Sequence, residues 1–358
     1  MKGNDKLKRN GMKMMRRQEE IVGTLMAMIP FVGFLIFSLY PMILSFIVSF
    51  TELKSYDTSR MIFVGLENYK FVFTNKWVRV SLLNTLEYCI SVPINVVIAV
   101  FLAHLFSKNF LGSKFGSVIA YLPTVCSVVA VTLAFQWIFE ANYGVVNSII
   151  SSLGGQKIDF MGNPNWFMPT VLVLSIWMRG TNILELQAAM SNVDKSLKEA
   201  AELDGANGRQ VFFHVILPTI SPTVFYIFIT WLVVALQEMT VMQLVTNNGI
   251  GPDFKAMTIT YYIYRMGITN NVTEGFGRAC ALSWVFAIAV MILSRILFKI
   301  SDKVVSYDSG MDKMTENKKR PRRSGVAQSV QNFLHVSVFI SRVKREINHL
   351  VVALFGMA

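Results

Sequence analysis

Charge is scarce in this sequence: Asp, Glu, Lys and Arg make up 16% of its 358 residues, against 53% hydrophobic residues and a mean hydropathy of +0.47. Soluble domains carry about 25% charged residues. Too few are present here to coat a globular surface, which excludes soluble enzymes and nucleic-acid binders as classes. Cysteine is nearly absent as well. Cys89, Cys126 and Cys280 lie in apolar stretches without metal-type spacing, so packed thiols are expected rather than a disulfide framework or a metal site. Catalytic signatures are missing: no G-x-x-x-x-G-K-[ST] loop, no H-E-x-x-H and no G-x-S-x-G occurs, and the G-S-K-F-G-S of residues 112–117 has neither the spacing nor the preceding strand of a phosphate cradle. No catalytic residue, no metal and no enzymatic activity are expected on this chain.

Long apolar runs are what the sequence has in abundance, with 27 Phe and 20 Met among them. A bilayer core about 30 Å thick needs roughly 20 apolar residues of helix at about 1.5 Å each. Six runs qualify, at about 21–50, 82–106, 115–139, 166–188, 216–237 and 279–298. The first is too long for a cleaved leader and ends without a small-residue cleavage site, so it reads as a retained span. The fourth weakens at Arg179 and Glu185. The predicted architecture is an all-α polytopic membrane protein: a basic tail (1–20), a membrane domain (21–303) and a basic, partly apolar tail (304–358). In that last tail the run 347–358 is too short to span, and no transport role is assigned to it. Of the 34 Lys and Arg, 24 fall on the side of the N-terminal tail and nine on the other, with Arg179 inside the fourth run. The lysine and arginine bias places both termini in the cytoplasm, and the net charge of +12 is then mostly topology rather than nucleic-acid binding.

One segment does not fit a simple bundle. Residues 191–218 are polar, rich in helix formers and on the cytoplasmic side of this topology. Ser196 and Glu199 have capping-box spacing, Gly205 can end the first helix in a left-handed turn, and Asn207 can cap a second helix running to His214, with Pro218 entering the fifth span. A helix–Gly–helix elbow is predicted. Its spacing, Glu199-Ala200-Ala201, then Gly205, then Val215 and Leu217-Pro218, resembles the EAA loop of permease subunits in bacterial binding-protein-dependent ABC importers. Other residues agree: Tyr40-Pro41, Ser49-Phe50-Thr51, Gly65 to Tyr69, Asn84-Thr85, Leu122-Pro123, Asp204 to Ala206 and Tyr264-Arg265 resemble the carbohydrate permeases of the maltose and glycerol-phosphate kind, over about residues 20–303. Val215 stands where isoleucine is usual, and Thr246 to Pro252 carries extra residues against the common T-x-G-G-P.

The resemblance implies that Glu199, Ala200, Ala201, Asp204, Gly205, Leu217 and Pro218 form the loop that couples to an ATPase. It also implies that ATP and Mg bind a partner and leave no cofactor here. The implied partners are a second, similar permease, two ATPase subunits and an extracytoplasmic sugar-binding protein, in the inner membrane. A short helix with small residues suits a groove. Ionisable groups inside spans suggest a pathway. Of Glu87, His104, Gln136, Arg179, Glu185, Gln237 and Glu238, the trio His104, Arg179 and Glu185 reads as snorkelling or interfacial. Tyr226, Trp231, Gln237, Glu238 and Gln243 combine amides, a carboxylate and aromatic faces of the kind that hold sugars, and form the candidate substrate path. The rival reading is a secondary transporter driven by an ion gradient. A membrane-embedded enzyme, the third, lacks any paired catalytic constellation.

Overall fold

The computed structural model describes residues 19, 22–26, 28–53, 61–108, 111–269 and 275–304; the expected basic N-terminal tail and the tail from 305 lie outside them. The described residues are almost entirely helical. Three helices are long and apolar enough to cross a membrane: α1 (Val22–Val48), α3 (Lys76–Ser107) and α14 (Phe276–Val304). Three bent pairs pass the same test of length and hydropathy, each as a broken span or a re-entrant loop. These are α4 (Ser113–Val125) with α5 (Val128–Ile138) at 107°, α7 (Pro164–Trp177) with α8 (Gly180–Ser191) at 46°, and α10 (Gly208–Thr219) with α11 (Ser221–Leu236) at 64°. Counting each pair as one span gives up to six among the described residues. The smaller helices are α2 (Glu67–Thr74), α6 (Val145–Ser152), α9 (Lys195–Leu203), α12 (Thr240–Val245) and α13 (Ile259–Tyr264).

Large apolar side chains face outward along the spans, among them Phe37, Phe101, Phe115 and Trp137, each more than 60% exposed. That is the reverse of a water-soluble helix and is what lipid contact requires. The packed thiols expected of all three cysteines hold for Cys280, which is buried, and Cys89, which is half-buried. Cys126 is exposed, because it sits at the break between α4 and α5.

The chain divides into two compact units. The first comprises residues up to Val72 together with Met266–Trp284. Here α1 runs into a two-stranded antiparallel ribbon, β1 (Thr51–Glu52) and β2 (Ile62–Phe63), in which Thr51 faces Phe63. The Gly65–Tyr69 segment ties it down. Asn68 Nδ2 donates to Ser49 O and Thr51 O, both at 2.9 Å, and Tyr69 Oη meets Ser49 Oγ at 2.7 Å. The amide of Phe276 donates to Leu53 O, so the start of α14 closes on the same ribbon.

The second unit is Phe73–Arg265 with Val285 onward. α8 lies along the second half of α3 and on α4, and α11 crosses α3. Their shared core includes Ala99, Ala103, Leu186, Met190 and Ile227. In lipid, helices associate through close van der Waals packing rather than apolar transfer from water, and Gly180 shows the consequence. A Cβ there would lie 2.2 Å from Ala120 O and 2.6 Å from Tyr121 Cα. The loop between α12 and α13 is held by the Asn84-Thr85 pair: Asn84 Nδ2 donates to Phe254 O (2.8 Å) and Met257 O (3.2 Å), and Thr85 Oγ1 accepts from the Ile259 amide.

Gly180→Val is expected to push α8 off α4 and to destabilise the chain by about 1–3 kcal/mol, the usual cost of overpacking. Gly33→Ala, whose Cβ meets nothing within 4 Å, serves as the neutral comparison. Thermal unfolding in detergent reads the difference; equal melting temperatures would contradict the close α4–α8 approach.

Candidate functional site: a two-armed elbow and a buried polar cluster

The first arm of the elbow is α9. Its cap is not the expected Ser196–Glu199 box. Asp194 holds the N-cap position, and its carboxylate accepts from the Ser196 amide at 2.9 Å. An Asp two residues upstream offers a carboxylate to the first free amide, so Ser196 falls inside the first turn and Glu199 takes no part in the cap. The Ser196 hydrogen bond holds the Asp194 carboxyl below its ordinary range. α9 ends as the sequence predicts. Gly205 has φ +84°, its amide donates to Glu202 O and the Ala206 amide to Ala201 O, each at 3.0 Å. These two bonds define a Schellman closure, whose left-handed residue is best supplied by glycine. A Cβ on Gly205 would meet nothing within 4 Å, so backbone conformation alone demands it.

The second arm is α10, and the reciprocal capping box belongs to it: Gln210 N donates to Asn207 Oδ1 at 3.0 Å while Asn207 N donates to Gln210 Oε1 at 2.8 Å. This arm runs past His214 to Thr219 through a wide turn at Phe212–Ile216, and the fifth span proper begins at Ser221 rather than at Pro218. The two arms differ in burial. α9 buries no residue, and Leu197, Glu199, Ala200, Asp204 and Gly205 are exposed with Ala201 half-buried. On α10, Val211 and Phe212 are buried, and Leu217 and Pro218 half-buried. Phe212 enters the core of α3 and α8, its ring 4.1 Å from that of His104. His104 therefore packs against the elbow instead of snorkelling.

The second constellation surrounds the break in the fourth span. Thr124 on α4 bridges it, its hydroxyl accepting from Gly180 N at 3.1 Å and donating to Met178 O at 3.4 Å. Between those residues Arg179 turns inward. Its guanidinium lies 3.6 Å from the centroid of the Trp231 ring, within cation–π range, and the Glu238 carboxylate supplies an opposite charge that acts on it. The snorkelling expected of Arg179 fails because this aromatic face is within reach. Trp231 Nε1 donates to Asn182 Oδ1, and Asn182 Nδ2 is buried without a hydrogen-bond partner.

Of the five residues expected on the substrate path, the structure gathers Trp231 and Glu238 into this cluster. Gln237 is exposed at the end of α11, and Tyr226 is 63% exposed. Gln243 Nε2 donates to Asn248 Oδ1, in the loop after α12, at 2.7 Å. Sequence reasoning missed Asn182 and Thr124, small polar residues whose partners lie about 50 positions away in the chain. Of the remaining span residues, Glu87 pairs with Lys255 at 2.8 Å, and Gln136 Nε2 donates to Leu244 O and Val245 O.

Broken spans around a polar cluster, with a two-armed elbow at one end, define a multi-pass transport permease. The chain matches the family described as "Binding-protein-dependent transport system inner membrane component" over residues 95–306, and it belongs to that family. Among its relatives is the probable ABC transporter permease protein YesP of Bacillus subtilis, 31% identical over 78% of this chain and 90% of that protein. Another is the arabinooligosaccharides transport system permease protein AraP of the same organism, 32% identical over 76% and 86%. The crystal structure of a bacterial alginate ABC transporter, in complex with an alginate pentasaccharide-bound periplasmic protein, has a chain of the same fold. Its TM-score is 0.67 at 24% identity, covering 82% of this chain and 98% of that one.

Asp194 is the group whose titration reports on the first arm. Its folded pKa is depressed, so the cap is intact at neutral pH and its contribution fades as pH falls through the folded value. Asp194→Ala is expected to give faster amide exchange at residues 195–198 at pH 7, and the wild-type protection factors there, corrected for intrinsic exchange, should fall only toward acid. Exchange unchanged by the substitution would refute the cap.

Proposed function

We propose that this chain forms half of the translocation pathway of an ATP-driven carbohydrate importer. A separate ATPase docks on the exposed arm α9 in the cytoplasm. The observation that carries the reading is the division of labour in the elbow: α9 is bare, α10 is rooted in the core, and the Schellman turn at Gly205 joins them stiffly. A partner that displaces α9 displaces α10 with it, and so biases the spans between two access states, since a ligand shifts an equilibrium only by its differential contacts with each state. Leu197 and Ala200 offer apolar and close-approach surface to a groove, and Glu199 and Asp204 offer charge to basic groups. ATP and Mg then belong to that partner. A second permease completes the pathway, and an extracytoplasmic binding protein delivers the solute.

The carbohydrate assignment rests on the relatives' names, AraP above all, and on the chemistry of the polar cluster. The Trp231 face, the Asn182 amide and the Glu238 and Arg179 charges suit a hydroxyl-rich solute. Gln237 and Gln243 extend the proposed path toward the outer loop, and Tyr226 is its least supported member. Family membership weighs against the ion-gradient alternative.

Gly205→Val forces a β-branched residue into the left-handed region at about 1–2 kcal/mol. That is small against the stability of a six-span bundle. The variant is expected to accumulate normally in membranes, to lose sugar uptake and to recover the ATPase poorly in pull-downs. Glu199→Lys should lose docking by charge reversal, with α9 still capped by Asp194. Normal uptake and docking by both variants would reduce residues 194–211 to a loop. Uptake by wild-type vesicles should require internal ATP and survive proton uncouplers; uptake driven by an ion gradient alone would overturn the reading. A reporter active only outside the membrane should work when fused at Gln156 and fail at Asn207. The opposite pattern would remove the elbow from the cytoplasm.

A further inference from the structure

The corner between α8 and α9 is fastened more closely than a turn between two helices needs. Three residues, Asn192 to Asp194, separate the helices. The Asn192 amide closes α8 by donating to Ala188 O and Ala189 O at 3.1 and 3.3 Å, and Asp194 caps α9. Met190 and Val193 are buried in the core that also holds Phe212. The last fastening is a side chain: Lys198 Nζ reaches back from α9 and donates to Met190 O at 3.3 Å. The final carbonyls of a helix have no partner within it, and a buried one needs a donor from elsewhere. Among the described residues, Lys198 is the donor that Met190 O receives. That is not the default for a lysine in this place. Asp194 and Glu202 stand four positions to either side, the spacing of helical ion pairs, yet among the described residues Lys198 pairs with neither. Its charge sits instead at the carbonyl end of α8, where the helix dipole favours a cation. Lys198 and Ala201, one turn apart, are the half-buried residues of α9, and the other seven are exposed. These two mark the face that α9 turns to its own chain.

We propose that Lys198 is a positioning residue of the elbow. Its bond to Met190 O holds α9 at a fixed angle to α8, so a partner that moves α9 moves α8 directly, besides the route through Gly205 and α10. The inference rests on the docking of an ATPase on α9 proposed above. With both routes in place, α9 is tied at its start to α8 and at its end to α10, and α8 and α10 meet in the core around Phe212. The three helices form a closed frame, which transmits a displacement where a single hinge would swing. The far end of α8 carries Asn182, beside Arg179 and the Trp231 face.

The test uses the full chain assembled with its second permease and ATPases in lipid nanodiscs. Spin labels are attached at Glu185→Cys on α8 and Glu202→Cys on α9, both exposed positions, in a background of Cys89→Ala and Cys126→Ser. Double electron–electron resonance reads the distance between them with and without MgATP and vanadate. The wild-type distance should be narrow and unchanged by nucleotide, because the two helices move as one body. Lys198→Met keeps the stem and removes the donor. It should raise the broad, unfastened component about tenfold, the weight of one hydrogen bond from a charged group, with the ATPase still recovered in pull-downs. Lys198→Arg, which also donates, should restore the narrow distance. A Lys198→Met distance identical to the wild type, or a wild-type distance that shifts with nucleotide, would overturn the proposal. So would loss of the ATPase from Lys198→Met at an unchanged distance, which makes Lys198 a docking contact. An ATPase missing already from the wild-type complex would overturn the docking reading, and the transmission with it, while the nucleotide-free distances alone decide the fastening.

Discussion

Hydrocarbon offers no hydrogen bonds, so a backbone that leaves the helix inside a membrane must find its partners within the protein. This constraint accounts for the placement of several polar side chains. The fourth span breaks at Met178–Gly180, and one hydroxyl, Thr124, serves both sides of the gap. Leu244 and Val245, at the end of α12, give their carbonyls to Gln136. Phe254 and Met257 give theirs to Asn84. In the other unit Asn68 does the same for Ser49 and Thr51. In each case a single side chain satisfies backbone groups that a continuous helix would have satisfied by itself, which makes bends possible where a transport protein needs them.

The same constraint sets what was legible in the sequence. Length and hydropathy reveal the long apolar runs because the thickness of the bilayer is a one-dimensional quantity. They do not reveal that residues 115–139 are two helices at 107°: the run is apolar throughout, and Pro123 is the one local hint. Arg179 reads as a snorkelling residue when only its neighbours in sequence are considered. Its inward turn depends on Trp231, which the fold brings to it across the helix break. Residues 305–358 lie outside the described residues, so their reading stays where composition left it.

The elbow was more legible because caps and turns are local. Gly205 and Asn207 act as the sequence suggests, since each works through bonds to residues within a few positions. The Ser196–Glu199 pattern misled for an equally local reason. Two polar residues competed for one helix start, and the stronger acceptor, Asp194, stood nearer the free amide. Pattern spacing alone does not rank such competitors; side-chain chemistry does.

Why an elbow should be half bare and half buried follows from what each arm must do. In the proposed coupling the docking arm has to remain available to a partner, so it cannot contribute to the core, and α9 buries nothing. A helix of nine residues is marginal by itself in water, which is why it is closed at both ends, by Asp194 and by the Schellman turn. The second arm has the opposite requirement. It must not yield when the first is displaced, and Phe212, packed among α3 and α8, meets it. α8 in turn begins at Gly180, directly after Arg179 on the Trp231 face. The residues that root the elbow and the residues of the polar cluster therefore stand on the same helix, about three turns apart. A displacement of α8 carries both together, with no need for a relay of small side-chain changes between them.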